Sequence, residues 1–245
     1  MIALHDVIAG YTPGIDILQG ISLQVDNAEI VTLLGPNGCG KSTLLKCIAG
    51  YLRPRSGRIL LNERDVGQIP IHRKVRECSL GFVPQTDNVF NNLTIKENLQ
   101  TGGQFLPDAQ RRQRMEELCE RYPLLRKKWR AMASALSGGE RQILALTRAL
   151  MPKPTTLLLD EPSAGLSPKM LSDVFAAIQD IRRQEQVAIL MVEQNAMEAL
   201  HISDRAYVLA LGKVALTGKA GELLDDPRMR ELYLGGRADA ASPSP

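Results

Sequence analysis

Aromatic side chains are scarce in this chain of 245 residues, at 4 % of the sequence, and neither sign of charge is in clear excess. Lysine and arginine number 30 against 27 aspartates and glutamates, which gives a formal net charge of +3. So small a surplus does not favour nucleic acid as a partner, because nucleic-acid-binding domains carry clustered positive charge. The contents of 44 % hydrophobic and 23 % charged residues are ordinary for a globular protein.

Long apolar runs, a leader segment and paired cysteines are also lacking. No stretch approaches about 18 apolar residues, and the N-terminal MIALHDVIAG has no basic segment followed by a long apolar one. We therefore expect neither a membrane span nor a signal peptide, so any membrane role must come through a partner. Cys39, Cys47, Cys78 and Cys119 show neither C-x-x-C pairing nor metal-ligand spacing, which favours reduced thiols in a cytosolic protein.

Strands and helices alternate along most of the chain, and a mostly helical stretch from about 88 to 151 interrupts them. This order predicts an α/β fold with a mostly parallel core sheet, an N-terminal antiparallel β subdomain and an inserted helical lobe at about 86–151. Residues 237–245 lack apolar content and are expected to form a disordered tail. The predicted strands are Ile2–Ile8, Ile21–Val25, Ile30–Leu34, Arg58–Leu61, Leu80–Val83, Thr156–Leu159, Val187–Val192, Ala206–Leu209 and Lys213–Leu216, and the predicted helices include Lys41–Ala49, one capped by Asp108, Pro168–Arg183 and Ala196–His201.

A glycine-rich loop, GPNGCGKST, follows the apolar strand EIVTLL and precedes the helix KSTLLKCIAG. It fits G-x-x-x-x-G-K-[ST], in which the glycines let backbone N–H groups surround phosphate oxygens. The helix N-terminus adds about half a positive charge. We expect Lys41 to reach the β- and γ-phosphates of a nucleotide and the Ser42 hydroxyl to ligate Mg²⁺. The predicted nucleotide-binding residues of this loop are Gly35, Pro36, Asn37, Gly38, Cys39, Gly40, Lys41, Ser42 and Thr43.

Two adjacent carboxylates end a second apolar strand, in the segment TTLLLDEP from Thr155 to Pro162. Acids at the end of an apolar strand are costly unless a cation or a reacting water needs them. Asp160 is the candidate for holding Mg²⁺ through water. Glu161 is the candidate general base for an attacking water. Together with the glycine-rich loop, this pair predicts a site that hydrolyses a nucleoside triphosphate.

The run LSGGE, Leu136–Glu140, resembles the signature motif of the nucleotide-binding subunits of ATP-binding cassette (ABC) transporters. The likeness covers about residues 1–236 and implies a P-loop ATPase that uses ATP and Mg²⁺. It also implies that Ser137, Gly138 and Gly139 face the γ-phosphate bound to a second subunit. The residues agree with this, since the chain has two helix N-termini suited to anions and a head-to-tail dimer would use both.

Further motifs of that family occur in order along the chain. Tyr11 matches the aromatic residue that stacks on adenine, although a tyrosine in GYTPG also suits a surface turn. Gln85 in FVPQ matches the glutamine that senses the γ-phosphate and Mg²⁺ and connects to the helical lobe, although it could be a simple loop amide. The segment SAGLSP, Ser163–Pro168, matches the loop that contacts the partner subunit.

A narrower likeness concerns the transported solute. MVEQN, the run Glu97–Gly103 and the C-terminal YLGG, Tyr233–Gly236, resemble one of the two ATPase subunits of branched-chain amino-acid uptake systems, with amide and urea importers close to them. The stretch Ile71–Leu99 and YLGG also resemble the lipopolysaccharide-export ATPase, which keeps a histidine where this chain has Gln194. Uptake implies integral membrane permease subunits, a homodimer or a heterodimer with a second ABC ATPase, an extracytoplasmic solute-binding protein, and a peripheral place on the cytoplasmic face of the inner membrane.

Gln194 follows the strand Val187–Val192, at the sheet edge where open α/β sheets bind ligands, and matches the family's switch histidine. A neutral amide donates and accepts hydrogen bonds, but unlike an imidazole it cannot take up a proton and become positively charged. Losing one charge-assisted contact would cost about 10²–10³ in rate. Three interpretations are open: the amide substitutes adequately, a partner's site completed by this LSGGE does most of the work, or the chain binds ATP as a switch. The predicted catalytic residues are Glu161, Gln194 and Gln85, and the predicted Mg²⁺ ligands are Ser42, Gln85 and Asp160.

Two other functions compete with a transport ATPase. Soluble cassette ATPases that act on DNA or ribosomes usually carry long coiled-coil insertions or two tandem cassettes, and the segment from Thr43 to Ser137 leaves no room for such an insertion. A P-loop kinase has no use for LSGGE. The basic run Arg126–Arg130 is expected to be a solvated face of the helical lobe rather than a lipid or RNA contact.

Overall fold

The computed structural model describes residues 1–229, which form two β-sheets with helices packed around them. The predicted YLGG segment and the predicted tail lie outside the described residues. No helix within 1–229 is long and apolar enough to cross a membrane. The strands are β1 (Ile2–Ala9), β2 (Leu18–Val25), β3 (Ile30–Leu34), β4 (Ser56–Leu61), β5 (Arg64–Asp65), β6 (Leu80–Val83), β7 (Thr156–Asp160), β8 (Ala188–Val192), β9 (Arg205–Ala210) and β10 (Lys213–Lys219). The helices are α1 (Lys41–Ala49), α2 (Ile71–Glu77), α3 (Ile95–Gly102), α4 (Asp108–Arg121), α5 (Pro123–Lys127), α6 (Gly138–Leu150), α7 (Pro168–Glu185), α8 (Ala196–Ile202) and α9 (Ala220–Leu224), with a 3₁₀ turn at Ala133–Ala135.

The larger sheet has the strand order β10-β9-β3-β8-β7-β6. The strands from β9 to β6 pair in parallel, and β10 pairs antiparallel to β9. β3, β7 and β8 are buried along their whole length, which explains why they occur as continuous apolar runs in the sequence. The predicted mostly parallel α/β core is confirmed. Because parallel strands run in one direction, Leu34, Asp160 and Val192 end at the same edge of the sheet.

The smaller sheet is antiparallel, with the order β2-β1-β4-β5, and confirms the predicted N-terminal β subdomain. β2 begins at Leu18 rather than at the predicted Ile21. Gly20 has a positive φ of 81° and looks like a turn residue in sequence. The strand nevertheless continues through it, because Leu18 and Gln19 pair with β1. Side chains of this sheet, α1 and one face of the larger sheet share a core.

The stretch predicted to be mostly helical contains α3 to α6, between β6 and β7. Its apolar side chains pack with α7 and the opposite face of the larger sheet in a second core. α3 begins with a capping box, in which Thr94 accepts a hydrogen bond from the backbone of Glu97. Asp108, predicted as a cap, is instead the first residue of α4, and its side chain pairs with Arg111.

The short helix α2 was not predicted from the sequence. It follows Pro70, has no side-chain cap, and is stabilised by tertiary contact rather than by local signals. Lys74 in its middle is fully buried, and its ammonium donates a hydrogen bond to the Ile48 carbonyl at 2.7 Å. That carbonyl belongs to the last turn of α1, so α2 fixes the far end of the helix that follows the glycine-rich loop.

Candidate active site

The glycine-rich loop connects β3 to α1 and turns through three glycines with positive φ. Gly35 has φ 142°, and a Cβ added there would lie 2.3 Å from the Leu209 carbonyl oxygen of β9, so the position admits glycine alone. Gly40 has φ 108° and caps α1 without a side chain. The first backbone N–H groups of α1 therefore face the loop, as phosphate binding requires.

The side chain of Lys41 folds back across this loop. Its ammonium donates to the carbonyl oxygens of Gly35 at 2.6 Å and Pro36 at 3.1 Å. Only 5 % of Lys41 is exposed, so its charge is held at the loop and not in bulk water. Of the other residues predicted here, Cys39 and Thr43 are buried, and Pro36, Asn37 and Gly38 are exposed.

Asp160 and Ser42 meet where β7 ends beside the start of α1. The Ser42 hydroxyl lies 3.5 Å from Asp160 Oδ1, and both residues line a cleft of about 430 Å³ together with Gln85. Burial raises the pKa of Asp160, and the nearby Glu161 carboxylate raises it further, while Lys46, Ser42 and Lys41 oppose this. A hydroxyl, a carboxylate and an amide oxygen are the ligand types that Mg²⁺ prefers. The donor set therefore fits a magnesium ion that is also held by phosphate.

Glu161 sits at the centre of a hydrogen-bonded group. Its backbone has a positive φ of 47°, and its N–H donates to the Val192 carbonyl at 2.9 Å. The Gln194 amide donates to both carboxylate oxygens, at 2.9 and 2.8 Å. The Gln85 amide donates to Oε2 at 2.7 Å. The structure thus brings together all three residues predicted to be catalytic.

Glu193 is a buried acid whose contacts were not predicted. Its carboxylate accepts hydrogen bonds from the Ser163 backbone and hydroxyl, at 2.9 and 2.7 Å. The same sequence signal that marked Asp160 and Glu161, an acid at the end of an apolar strand, was present at this position and would have found it.

Tyr11 and the LSGGE run lie apart from the Glu161 group. Tyr11 is 56 % exposed in the loop between β1 and β2. Ile17, the last residue of the loop between β1 and β2, lies next to the glycine-rich loop, since its Cγ2 would lie 3.5 Å from a Cβ on Gly40. Ser137 caps α6 and, within the described part of the chain, exchanges side-chain hydrogen bonds with Glu140 and not with the phosphate loop. Within the described residues, the exposed N-terminus of α6 therefore makes no side-chain hydrogen bond from Ser137 to the glycine-rich loop.

The glycine pair of the LSGGE run packs against the segment that follows Glu161. A Cβ on Gly138 would lie 3.1 Å from Leu166, and one on Gly139 would lie 3.1 Å from Met170. Glycine at both positions therefore lets α6 approach the start of α7 closely. The LSGGE run is in this way packed against the segment that follows Asp160 and Glu161.

The parallel sheet, the phosphate loop and the acids at the end of β7 together define a P-loop nucleoside triphosphatase. The sequence profile of the ABC transporter family matches residues 18–164. The chain belongs to that family, as one of its ATP-hydrolysing subunits.

The sequence is similar to those of transport ATP-binding proteins over most of the chain. The high-affinity branched-chain amino acid transport ATP-binding protein BraG of Pseudomonas aeruginosa is 41 % identical, over 94 % of this chain and 98 % of that protein. The lipopolysaccharide export system ATP-binding protein LptB of Acidithiobacillus ferridurans is 37 % identical, over 89 % of this chain and 90 % of that protein. The resemblance to branched-chain uptake ATPases is confirmed at the level of sequence.

Solved structures agree on the fold. The ADP conformation of an ATP-binding cassette of an ABC transporter matches with a TM-score of 0.86 and 24 % identity, over 96 % of this chain and 98 % of that chain. A dimeric post-hydrolysis state of an ATP-binding cassette bound to ADP and Pi matches with a TM-score of 0.78 and 25 % identity, over 90 % and 99 % of the two chains.

Proposed function

We propose that this chain binds ATP with Mg²⁺ at its glycine-rich loop, hydrolyses it with Glu161 as general base, and thereby powers a membrane transporter. The observation that carries the proposal is the convergence of a buried ammonium, a hydroxyl and two acids at one edge of the sheet. Lys41 is held within 2.6 Å of the Gly35 carbonyl, and the Ser42 hydroxyl lies 3.5 Å from Asp160, next to Glu161.

The glycine-rich loop binds the phosphates, and the side chains beside it bind the magnesium ion. Lys41 exchanges its contacts with the loop carbonyls for the β- and γ-phosphates, with α1 directing its N–H groups at the same oxygens. Ser42, Asp160 and Gln85 would hold a magnesium ion, which would neutralise charge on the phosphates. Burial raises the pKa of Asp160, and a cation beside that carboxylate favours its ionised form.

Glu161 takes a proton from the attacking water, and the amides of Gln85 and Gln194 orient its carboxylate for that step. Both amides are neutral, so they position the base without competing for its proton. Support comes from their hydrogen bonds to Glu161, at 2.7 Å for Gln85 and 2.8–2.9 Å for Gln194.

A second ATPase subunit completes each site. Ser137, Gly138 and Gly139 face the γ-phosphate bound to the partner, and Tyr11 stacks on the adenine of this chain's own nucleotide. The exposed start of α6 supports this, because its backbone N–H groups suit an anion, and within the described residues Ser137 contacts Glu140 rather than this chain's own glycine-rich loop. The dimer is homomeric or pairs this chain with a different ABC ATPase. It binds permease subunits on the cytoplasmic face of the membrane.

The solute is a branched-chain amino acid or a related amide or urea, delivered by an extracytoplasmic solute-binding protein. The 41 % identity to BraG over nearly the whole chain supports this assignment. Lipopolysaccharide export is the second candidate, supported by the 37 % identity to LptB. Identification of the permease that co-purifies with the chain separates the two, and co-purification with nucleic acid instead would favour a cassette ATPase outside transport.

Substitution Lys41→Ala tests the binding site. Two charge-assisted contacts worth about 1.5–3 kcal/mol each are removed, so the affinity for Mg-ATP should fall by about 10²–10⁴-fold. Isothermal titration of the full chain with Mg-ATP measures this. Lys127→Ala, an exposed lysine on α5, is the matched control and should bind as the wild type. Equal affinities for both variants would refute the proposed phosphate site.

A further inference from the structure

Glu193 follows β8 and is 1 % exposed, although no metal, phosphate or water is assigned to it by the proposed hydrolysis. Its Oε1 accepts a hydrogen bond from the Ser163 backbone at 2.9 Å. Its Oε2 accepts one from the Ser163 hydroxyl at 2.7 Å and one from the Gln194 backbone at 3.2 Å. One buried carboxylate thus joins the segment after the acids of β7 to the segment after β8.

These hydrogen bonds close a ring around the proposed base. The backbone runs from Glu161 to Ser163, Glu193 binds Ser163, the backbone continues to Gln194, and the Gln194 amide returns to the Glu161 carboxylate. Asn195 reinforces the ring, because its amide donates to the Ser163 hydroxyl at 3.2 Å. Within such a ring the position of the Gln194 amide relative to Glu161 depends on the link between Ser163 and Glu193.

Burying the Glu193 carboxylate costs more free energy than a neutral side chain would if its only role were to join these two segments. Burial raises the pKa of Glu193, the Glu161 carboxylate raises it further, and the hydrogen bonds from Ser163 and Gln194 oppose this. A buried carboxylate without a cationic partner is costly even when it is hydrogen-bonded. The two oxygens of the Glu193 carboxylate, however, accept hydrogen bonds from three donors on two segments. A neutral amide of the same size cannot do this, because an amide has only one acceptor oxygen.

We propose that Glu193 is a positioning residue for ATP hydrolysis, which holds Ser163 and Gln194 in register so that the Gln194 amide fixes the Glu161 carboxylate. The inference rests on the proposed role of Glu161 as general base. Glu193 itself touches neither the nucleotide nor the attacking water. Its loss should therefore slow the chemical step and leave nucleotide binding intact.

The test compares Glu193→Gln with Glu198→Gln in the full chain. The first variant keeps the size of the side chain but sets an N–H₂ group against either Ser163 or Gln194. The second makes the same change at an exposed acid of α8. Steady-state hydrolysis of Mg-ATP should show kcat lowered by about 10–10²-fold for Glu193→Gln, since a displacement near 1 Å at a reacting group costs that much. Its KM should stay within about twofold of the wild type, and Glu198→Gln should match the wild type in both constants.

Ser163→Ala tests the other side of the same link and removes only a hydroxyl. It should also lower kcat at constant KM, and the double variant with Glu193→Gln should lose no more than the more affected single variant, because both break one ring. Losses that multiply, or a kcat for Glu193→Gln equal to that of Glu198→Gln, overturn the inference. If Glu193→Gln does not fold, Ser163→Ala decides: lower kcat at constant KM supports the link, and unchanged kcat refutes it.

Glu161→Gln in the same assay separates this inference from the function on which it rests. Wild-type hydrolysis by Glu161→Gln would mean that Glu161 is not the base, so the proposed function would fail first. Lost hydrolysis in Glu161→Gln, with normal hydrolysis in both Glu193→Gln and Ser163→Ala, would leave the proposed function standing and remove only the role of Glu193.

Discussion

The side-chain amide of Gln194 donates hydrogen bonds to both carboxylate oxygens of Glu161, at 2.9 and 2.8 Å. Gln85 is a second amide donor and adds a third hydrogen bond, at 2.7 Å, so the proposed base is held from two segments of the chain. Under the proposed function, these contacts let an amide orient the base at the position that matches the family's switch histidine. An amide cannot add positive charge to a developing phosphoryl transition state.

Substitution Gln194→His should therefore raise the rate of ATP hydrolysis by the isolated chain. An imidazole that becomes charged restores a contact worth up to about 10²–10³ in rate, whereas Gln194→Ala removes the hydrogen bonds to Glu161 without replacement. Phosphate release at saturating Mg-ATP measures all three proteins. A rate for Gln194→His at or below the wild type would show that the amide is adequate in this site.

Glu161→Gln should bind Mg-ATP but lose hydrolysis by about 10²–10⁴-fold, as expected when a general base is removed. ATP that is bound and not hydrolysed should also trap the dimer, which gel filtration with Mg-ATP detects as a larger species. Glu222→Gln, at an exposed acid of α9, is the control for loss of one charge. Hydrolysis at the wild-type rate would exclude Glu161 as the base.

Ser137→Arg and Gln194→Ala should differ in the assembled transporter if a histidine-bearing partner subunit carries most of the turnover. The start of α6 then serves the partner's site, and a bulky arginine there blocks it, while Gln194 affects only this chain's slower site. Steady-state ATPase of the full complex should fall severely for Ser137→Arg and mildly for Gln194→Ala. Equal, severe losses would mean that the two sites are not specialised, and a mild loss from Ser137→Arg would refute a shared site.

Lys74 should make the stability of the fold depend on pH. Burial lowers the pKa of Lys74 from its ordinary 10.5 to about 8, so the folded state disfavours the charged amine. The penalty is fully present below pH 8 and is relieved as the pH rises from 8 towards 10.5. Relative to Lys74→Met, the wild-type free energy of unfolding should gain about 2–3 kcal/mol between pH 7 and pH 10, at about 1.4 kcal/mol per pKa unit.

Urea denaturation of both proteins at the two pH values measures this gain. The comparison with Lys74→Met is needed because burial also raises the pKa of the neighbouring Cys47 thiol to about 11. That thiol makes the fold lose stability as the pH rises above its ordinary 9.0, and the charge of Lys74 lowers its pKa, so this loss is at least as large in Lys74→Met as in the wild type. A difference between the two proteins that stays constant with pH would contradict the depressed pKa of Lys74.

The local parts of this protein could be predicted from sequence because their causes are local. Continuous apolar runs predicted β3, β7 and β8, since strands buried on both faces tolerate little else. The glycines at 35 and 40 predicted the phosphate loop, and both adopt positive φ, where other residues are strained. The helix α2 gave too few apolar positions for a prediction, because it depends on the buried contact of Lys74 with Ile48.

The sequence by itself determined the parallel α/β class, the phosphate loop and the acids at the end of β7. Only the tertiary structure decided that Gln85 and Gln194, 76 and 33 positions from Glu161, meet on its carboxylate. It also decided that Glu193 turns away from that carboxylate to bind Ser163. The physical reason is that periodicity and glycine placement act over a few residues, whereas side chains at strand ends meet according to strand order. Here β8 and β6 flank β7, and that pairing is selected by burial of the whole sheet rather than by any one segment.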